Sequence, residues 1–383
     1  MYRNIDFKRL GRGLIRVEAA VCISQLVMNC FCSRFKKKRA SPPTHTVEVD
    51  EEVSGIQNTN LYSYKELRMA TENFSPANKI GQGGFGSVYK GSLRDGTLAA
   101  IKVLSTNSRQ GLREFLTEIN VIADIKHDNL VKLLGCCVEG NHRILVYGYL
   151  ENNSLAQTLL GRGQSSIQFN WHTRHIICIE VARGLAFLHE ELFPNNLTHI
   201  STRVAGTEGY LAPEYAIRGQ LTRKADIYSF GVLLLEIVSG RSNTNKLLPL
   251  EEQYLLERAW ELYESGDLVR LVDPSLNEDY NIEEAHRYLK IALLCTQDMP
   301  KLRPSMSTVV KMLTGEKDVN EEKISKPGLL SELLGLKVDK SRKKSDVIKY
   351  TDSSKPDHSS SSSGNMYNSH ATMTFTSIND RSS

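Results

Sequence analysis

The stretch KIGQGGFGSVYKGSLRDGTLAAIKVL, from Lys79 to Leu104, carries the pattern that decides the fold. Two runs of β-forming residues flank the turn signature RDG, which predicts an antiparallel hairpin. The first run contains Gly81, Gly83 and Gly86. Glycine allows backbone N–H groups to approach phosphate oxygens closely, because no Cβ blocks the way. The glycines lead into a second strand and not into a helix, which counts against a dinucleotide-binding unit.

A lysine and a glutamate follow the glycines in an order that favours phosphate binding. Lys102 lies sixteen residues after Gly86, at the end of the strand AAIK that follows the RDG turn, where its ammonium group could reach the phosphates. The next segment has apolar residues three or four positions apart, which predicts a helix. These apolar residues are Leu112, Phe115, Ile119 and Ile122. Glu118 lies in the same helix and is the natural partner to orient Lys102.

The second half of the chain changes to a helical pattern. The string ADIYSFGVLLLEIVSG, residues 225 to 240, is apolar nearly all round. Such a helix is typical of the interior of a large domain. A sheet-rich half followed by a helical half predicts a two-lobed α+β fold.

The bulk composition indicates a globular protein with reduced thiols. Of 383 residues, 40% are apolar and 24% charged, and the net charge of +4 gives no reason to propose nucleic-acid binding. Seven cysteines, an odd number, show no C-x-x-C spacing. This pattern favours free thiols over disulfides or zinc ligands.

Three zones are predicted along the chain. Residues 1–60 form a basic arm, residues 61–315 a folded domain, and residues 316–383 a polar, serine-rich tail. The composition of the tail cannot bury enough apolar surface to offset chain entropy, so we expect most of it to be disordered. The string PGLLSELLGLKV, residues 327–338, is the exception and has the pattern of a short amphipathic helix.

The basic arm contains one apolar stretch, Ala19 to Cys32. As a helix it would be about 21 Å long, too short for a hydrocarbon core of about 30 Å, so we predict no membrane span. Acylation of Cys30 and Cys32 beside the basic run Arg34 to Arg39 would supply the two signals that peripheral attachment needs. The alternatives are a disordered arm or a nuclear import signal, and Met28 is an alternative start.

The ordered set of residues resembles the signature of eukaryotic protein kinases, over roughly Phe74 to Leu313. Besides the glycines, Lys102 and Glu118, it includes the triplet Ala212-Pro213-Glu214 and the string LRPSM around Arg303. The strings YSYKELRMATENFSPANKI and RKADIYSFGVLLLEIVSG are similar to plant receptor-like cytoplasmic serine/threonine kinases. LLCTQDMPKLRPSM brings the chain near the cold-responsive protein kinase type.

The resemblance implies a bilobal kinase fold, an ATP site and a role for each matching residue. It assigns ATP contacts to Ile80, Gly81, Gly83, Gly86, Val88 and Lys102, and pairs Lys102 with Glu118. It makes Tyr147 the gatekeeper and Gly148, Tyr149 and Leu150 the hinge. Glu214 and Arg303 form a buried ion pair, and Asp226 has a structural role. Gly148 stands where relatives carry a larger residue, which we expect to be tolerated because backbone groups read adenine there.

Two motifs that the resemblance requires are missing. Between LAFLHEE and APE the kinase pattern has H-R-D-x-x-x-x-N and the magnesium-binding D-F-G. No aspartate occurs from Asn129 to Ala225. On the order of thirty residues are absent at a joint near Leu192 and Phe193. We therefore assign no catalytic residue and no metal ligand, although the family uses Mg²⁺ with ATP. The loss should weaken the helical lobe, since Asp226 would lose its backbone partners.

Three functions remain open from the sequence. The chain is an active ATP-dependent serine/threonine kinase, as the resemblance implies, or a pseudokinase that binds a full-length relative or a receptor kinase, or a variant that does not fold. We favour loss of catalysis. Thr198, Ser201 and Thr202 are candidate phosphorylation sites for a partner kinase. The expected location is the cytoplasm, at an anionic membrane surface on the inner face of the plasma membrane if the arm is acylated.

Overall fold

The structure of the chain is a computed structural model. It describes residues 59–83, 86–104, 115, 119, 125–152, 155–160, 169–191, 200–201, 205–206, 209–245, 247–249, 252–329 and 374–375. Strands dominate the first part of the described chain and helices the second. The architecture is therefore α+β and bilobal, which confirms the predicted fold class.

The first lobe is built on a twisted sheet of six strands. They are β1 (Asn60–Leu61), β2 (Lys79–Gly83), β3 (Gly86–Ser92), β4 (Leu98–Leu104), β5 (Leu133–Glu139) and β6 (His142–Gly148). Their order across the sheet is β1-β5-β6-β4-β3-β2, and only the β1–β5 pair is parallel. The predicted turn joins β3 to β4: Asp95 accepts a hydrogen bond from the backbone of Thr97, and Gly96 has a φ of +82°. The quoted stretch thus forms β2, β3 and β4, three consecutive strands on one side of the sheet, with β2 at its edge.

A short helix, α1 (Tyr64–Ala70), covers one face of this sheet. Ser63 caps its N-terminus by accepting a hydrogen bond from the backbone of Glu66, and Leu67 is fully buried. The Tyr64 ring stacks on the ring of His142 in β6, with the centroids 3.7 Å apart. On the other side, Phe115 and Ile119 are helical and buried against β4 and β5.

Helices form the second lobe. They are α2 (Leu155–Thr158), α3 (Trp171–Glu191), α4 (Pro213–Arg218), α5 (Arg223–Ser239), α6 (Leu255–Glu264), α7 (Ile282–Cys295) and α8 (Met306–Leu313). Thr222 caps the start of α5, and Gly240 ends it in the left-handed conformation with a φ of +63°. Most of α5 is buried, as its all-round apolar pattern predicts. It packs against α3, α6 and α7 in one core.

The two lobes meet where residues 125–130 lie against α3. The His127 ring stacks on Phe187, with the centroids 4.6 Å apart. A Cβ placed on Gly184 would lie 3.2 Å from the carbonyl oxygen of Asn129, so the two backbones approach closely. The contact is short because glycine occupies this position in α3.

Four two-residue strands lie outside the main sheet. β7 (Ile200–Ser201) pairs antiparallel with β9 (Gln220–Leu221), and β8 (Ala205–Gly206) pairs in parallel with β10 (Thr374–Phe375). The predicted joint at residues 192–193 lies outside the described residues. So do the candidate phosphorylation sites Thr198 and Thr202, whereas the backbone of Ser201 belongs to β7.

The chain stays packed beyond Gly315, the last residue of the predicted folded domain. Residues 316–329, which we name the strap, run along α7 and end on α5. The Tyr228 hydroxyl donates a 2.7 Å hydrogen bond to the carbonyl of Gly328, and Pro327 pairs with Gln297 in an isolated bridge. Leu329 is buried in the core of the helical lobe. Of the predicted helix at 327–338, residues 327–329 are not helical and the remainder lies outside the described residues.

Candidate functional site: a glycine-rich loop above a helical lobe

The glycine-rich segment spans the turn between β2 and β3. Gly83 pairs with Gly86 across the turn, and Gly81 pairs with Val88. Gly86 has a φ of +141°, and a Cβ there would lie 2.0 Å from the carbonyl oxygen of Val103, so packing against β4 requires glycine. At Gly81 a Cβ would meet only the Val88 side chain, at 3.8 Å. Among the described residues, nothing requires glycine at Gly81.

Two residues beside the glycines belong to the same surface. The side chain of Ile80 is partly exposed although it is large and apolar. Lys102 lies in β4 opposite Val88 of β3 and Leu145 of β6, and it is half-buried. Its predicted partner Glu118 lies outside the described residues, between the buried helical positions Phe115 and Ile119. In the sheet, Val88 of β3 pairs with Gly81 on one side and with Lys102 on the other, so one strand separates these two residues.

The predicted hinge follows directly from β6. Tyr147 pairs with Ala100 of β4, and Gly148 ends the strand. The backbone N–H of Gly148 donates to the carbonyl of Lys132, and that of Tyr149 donates to the carbonyl of Leu98. A Cβ on Gly148 would meet only that Lys132 oxygen, at 4.0 Å, so the position has room for a larger side chain. Leu150 is the next residue and lies beyond the strand.

The ring of Tyr149 makes a cation–π contact with Lys90. The Lys90 ammonium group lies 4.7 Å from the centroid of the Tyr149 ring. A cation over an aromatic face contributes about 0.5–1 kcal/mol at an exposed site. This contact ties the segment after β6 to β3, next to the glycine-rich loop.

In the helical lobe, the structure places Glu214 and Arg303 together. Arg303 donates from Nη1 to Glu214 Oε1 at 2.6 Å and from Nη2 to Oε2 at 3.0 Å, a bidentate pair. Arg303 also donates to the carbonyls of Gln297, Lys224 and Asp298. Because these carbonyls use the remaining N–H groups, the guanidinium can be buried without an unsatisfied donor. The pair fastens α4 to the turn before α8.

Asp226 has a partner that the sequence did not suggest. Its Oδ2 lies 2.9 Å from Nε2 of His189, near the end of α3. Burial raises the pKa of the Asp226 carboxyl, while the hydrogen bond and charge of His189 act in the opposite direction. The expectation that Asp226 would be left without a partner is therefore wrong. The His189 imidazole near the end of α3 reaches the carboxylate.

A second buried carboxylate, Glu236 of α5, organises the segment before α4. It accepts hydrogen bonds from the Tyr210 hydroxyl at 2.5 Å and from the backbone N–H of Asn243 at 2.6 Å. The Asn243 side chain then donates to the carbonyl of Gly209, whose φ is +93°. Sequence reasoning missed this network. The signal was a single acid inside the apolar string LLLEIVSG, since a fully buried carboxylate requires donors.

A third buried charge pair joins α3 to the segment after α5. Arg174 donates to Asp273 Oδ2 at 2.5 Å and to the carbonyl of Ile237 at 2.9 Å. Burial would raise the pKa of Asp273, but hydrogen bonds from Arg174 and Ser275 outweigh it and hold the pKa below its usual value. No sequence pattern pointed to this pair, because its members are 99 residues apart.

The described residues contain neither a cluster of metal-ligating side chains nor a membrane-spanning helix. Within the part of the chain that the structure describes, no three His, Cys, Asp or Glu side chains cluster so as to hold a metal ion. Among those same residues, no helix is both long enough and apolar enough to cross a membrane. The arm that carries Cys30 and Cys32 lies outside them.

Comparison with known proteins identifies the family. The model of the protein tyrosine and serine/threonine kinase family matches residues 74–199 and 196–313. Cold-responsive protein kinase 1 of Arabidopsis thaliana is 64% identical over 325 aligned positions, which cover 76% of this chain and 83% of that protein.

Two probable LRR receptor-like serine/threonine-protein kinases of the same plant are also similar. One is 45% identical and covers 84% of the chain; the other is 50% identical and covers 70%. The chain spans about a third of the length of these receptor-like relatives. The chain therefore belongs to the protein tyrosine and serine/threonine kinase family, among the plant serine/threonine kinases.

Proposed function

We propose that this chain is a pseudokinase of plant serine/threonine-kinase signalling, which binds nucleotide through its first lobe but transfers no phosphoryl group. One observation carries the proposal: no aspartate occurs from Asn129 to Ala225. The family takes its catalytic base and a magnesium ligand from aspartates in this interval. Without them, the chain lacks the groups that position the nucleophile and neutralise the developing charge.

The comparisons support an internal gap. The family model matches in two pieces that meet at residues 196–199, a few residues after the predicted joint at 192–193. The alignment with the cold-responsive relative has 325 positions but covers 76% of 383 residues, which is about 291 residues. About 34 aligned positions therefore hold no residue of this chain. The first receptor-like relative gives the same difference, since 84% of the chain is about 322 residues against 356 positions.

Three acids of the described helical lobe are already bound by other residues and do not fit a magnesium site. Asp226 faces His189, Glu214 faces Arg303, and Glu236 accepts from Tyr210 and from the backbone of Asn243. Each of these carboxylates already stabilises the helical lobe. Mg²⁺ binds oxygen ligands in near-octahedral geometry, commonly one or two carboxylates together with nucleotide phosphates. Recruiting one of the three would break a buried pair, so we assign no metal to the chain.

ATP itself fits better than the metal. A Cβ at Gly81 would meet only the Val88 side chain, and Lys102 of β4 pairs with the same Val88. A lysine and backbone N–H groups together stabilise phosphate charge without a metal ion. We therefore expect weak ATP binding that does not depend on Mg²⁺. The adenine would lie near Gly148, where the protein has room.

The partners and location follow from the family as proposals. A kinase-like surface without transfer would act by competing with a full-length relative, or by occupying a receptor kinase. The chain would then work in the cytoplasm, and the basic arm with Cys30 and Cys32 would hold it at an anionic membrane surface. Phosphorylation of Thr198, Ser201 or Thr202 by the partner would report that contact.

The test measures transfer and binding on the same purified chain. Phosphate incorporation from labelled ATP is measured with Mg²⁺ and with Mn²⁺, for the native chain and for Lys102→Ala. Thermal unfolding is measured in parallel with ATP, with and without Mg²⁺. At ATP about ten times its Kd, bound nucleotide adds about 1.4 kcal/mol of stability.

We expect no incorporation above the Lys102→Ala background. We expect an upward shift of Tm with ATP, which is similar with and without Mg²⁺ and is lost in Lys102→Ala. Incorporation that the lysine substitution abolishes would establish an active kinase and refute the proposal. A broad transition indifferent to ATP would refute it in the other direction, since the chain would then be neither a nucleotide-binding module nor a stable fold.

A further inference from the structure

Three large apolar side chains of the helical lobe are exposed near the Glu214–Arg303 pair. Ile217 of α4 is 52% exposed, and Met299 and Leu302, in the turn between α7 and α8, are each 47% exposed. We name these three residues the apolar patch. Their exposure is unusual for residues of this size so close to the buried Glu214–Arg303 pair.

The contacts of neighbouring residues place all three members of the patch around the Glu214–Arg303 pair. On α4, Ile217 is four residues after Pro213 and three after Glu214, so its side chain lies between those two on the helix surface. Glu214 binds Arg303, the residue after Leu302. Met299 follows Asp298, whose carbonyl accepts a hydrogen bond from the same Arg303.

The strap ends at this patch. A Cβ placed on Gly328 would lie 3.0 Å from Cγ of Pro213 and 3.1 Å from Oδ1 of Asp298. The carbonyl of Gly328 is fixed by Tyr228, whose pKa burial raises, so its hydroxyl stays a donor. Leu329 is buried as the last residue of the strap. The end of the strap therefore lies between Pro213 of α4 and Asp298, the residue before Met299.

We propose that residues 330–338, LSELLGLKV, bind across the apolar patch and extend the strap. The segment carries apolar residues at Leu330, Leu333, Leu334, Leu336 and Val338. Its nine residues reach about 13 Å as a helix and about 30 Å extended, enough to cover side chains that begin beside Gly328. The exposed cations Arg218 and Lys301 lie next to members of the patch in the chain, and Glu332 near the start of the segment has the complementary charge, whereas Lys337 lies near its end.

Bound in this way, the tail would tie α4 to the turn before α8 from outside, as the Glu214–Arg303 pair ties them from inside. A partner that displaced the tail would gain access to the apolar patch. The inference is independent of phosphoryl transfer and of nucleotide binding, since it concerns a surface of the helical lobe alone.

Methionine oxidation in the whole chain tests directly whether residues 330–338 cover the apolar patch. Met69 on α1 of the other lobe is 66% exposed and serves as the internal reference for Met299. The sulfoxide at each position is followed by mass spectrometry during treatment with dilute hydrogen peroxide. Exposure alone predicts rates within about twofold of each other, because oxidation follows accessibility. A covering tail should slow Met299 about fivefold or more relative to Met69.

Two sets of variants locate the cover. The double substitution Leu333→Asp and Leu334→Asp, and separately Ile217→Asp, should bring the two rates within about twofold. Ser361→Asp with Ser362→Asp adds the same charge elsewhere in the tail and should leave Met299 slow. Unfolding curves of all variants verify that the lobe remains folded.

Equal rates for Met299 and Met69 in the native chain would overturn the proposal, as would protection that survives the leucine substitutions. Protection that disappears on roughly tenfold dilution would overturn it too, because a second copy and not the tail would then cover the patch.

Discussion

Replacement of His189 by alanine should lower the free energy of unfolding by about 2–3 kcal/mol. Breaking a fully buried ion pair costs about 3–5 kcal/mol, because one charge is left without its partner. Here the His189 side chain is 5% exposed but that of Asp226 is 15% exposed, so water can recover part of the loss. In a domain of this size such a change lowers Tm by about 4–10 °C.

The control is the double variant His189→Ala with Asp226→Asn. An amide carries no charge, so burying it without the imidazole costs less than burying a carboxylate. The double variant should therefore be more stable than His189→Ala alone, by about 1 kcal/mol or more. This order is specific to the pair, because a packing defect at His189 would affect both variants equally.

Tryptophan fluorescence provides the assay. The chain has two tryptophans, and both Trp171 and Trp260 lie in the helical lobe, as does the pair itself. A denaturant titration followed by their emission therefore reports unfolding of the lobe that the substitution affects. The midpoint gives the change in stability if the slope of the transition is unchanged.

The pH dependence has a definite sign. Burial raises the pKa of Asp226, and removal of His189 removes the contacts that lower it. A carboxyl whose folded-state pKa exceeds its unfolded value binds its proton more tightly when folded. His189→Ala should therefore recover stability as pH falls from 7 toward that raised pKa, and should approach the double variant. A loss below about 0.5 kcal/mol, or a gap that does not change with pH, would refute the proposed role of the pair.

Two further pairs give independent predictions. Glu214→Gln should cost about 3 kcal/mol in the same fluorescence assay, since Arg303 is buried and loses its bidentate partner; a cost below about 1 kcal/mol would show that the three carbonyls suffice. Burial would raise the pKa of Asp273, yet Arg174 and Ser275 hold it lower, so its contribution is present above the unfolded pKa of about 3.9 and is lost as pH falls through the folded value. Asp273→Asn should therefore flatten the acid side of the stability profile, and an unchanged profile would contradict this assignment.

The sequence could predict those features that depend on local pattern. The hairpin from Lys79 to Leu104 follows from strand propensity and the RDG turn, and the buried helix α5 follows from its all-round apolar character. The juxtaposition of Glu214 and Arg303 came from the resemblance to kinases and not from spacing, since 89 residues separate them.

The features that the sequence did not predict depend on contacts across the fold. His189 reaches Asp226 only because α3 and α5 pack together, and neither residue has a local signal for the other. The polar composition of the strap predicts that it belongs to the mostly disordered tail. It packs nevertheless, because backbone groups of Pro327 and Gly328 find partners at Gln297 and Tyr228. Composition counts side chains and misses such main-chain contacts.

Fold and catalysis draw on different parts of a kinase chain, and the function proposed for this protein separates them. The helical core is formed by α3, which precedes the predicted joint, and by α5, α7 and α8, which follow it. Phosphoryl transfer depends on a few carboxylates at fixed positions, and no packing in the core can replace a missing charge. Asp226 matters to the fold regardless of catalysis, because a buried carboxylate must have a partner whether or not the chain is an enzyme. Because His189 supplies that partner, the proposed loss of catalysis would leave this buried pair of the helical lobe intact.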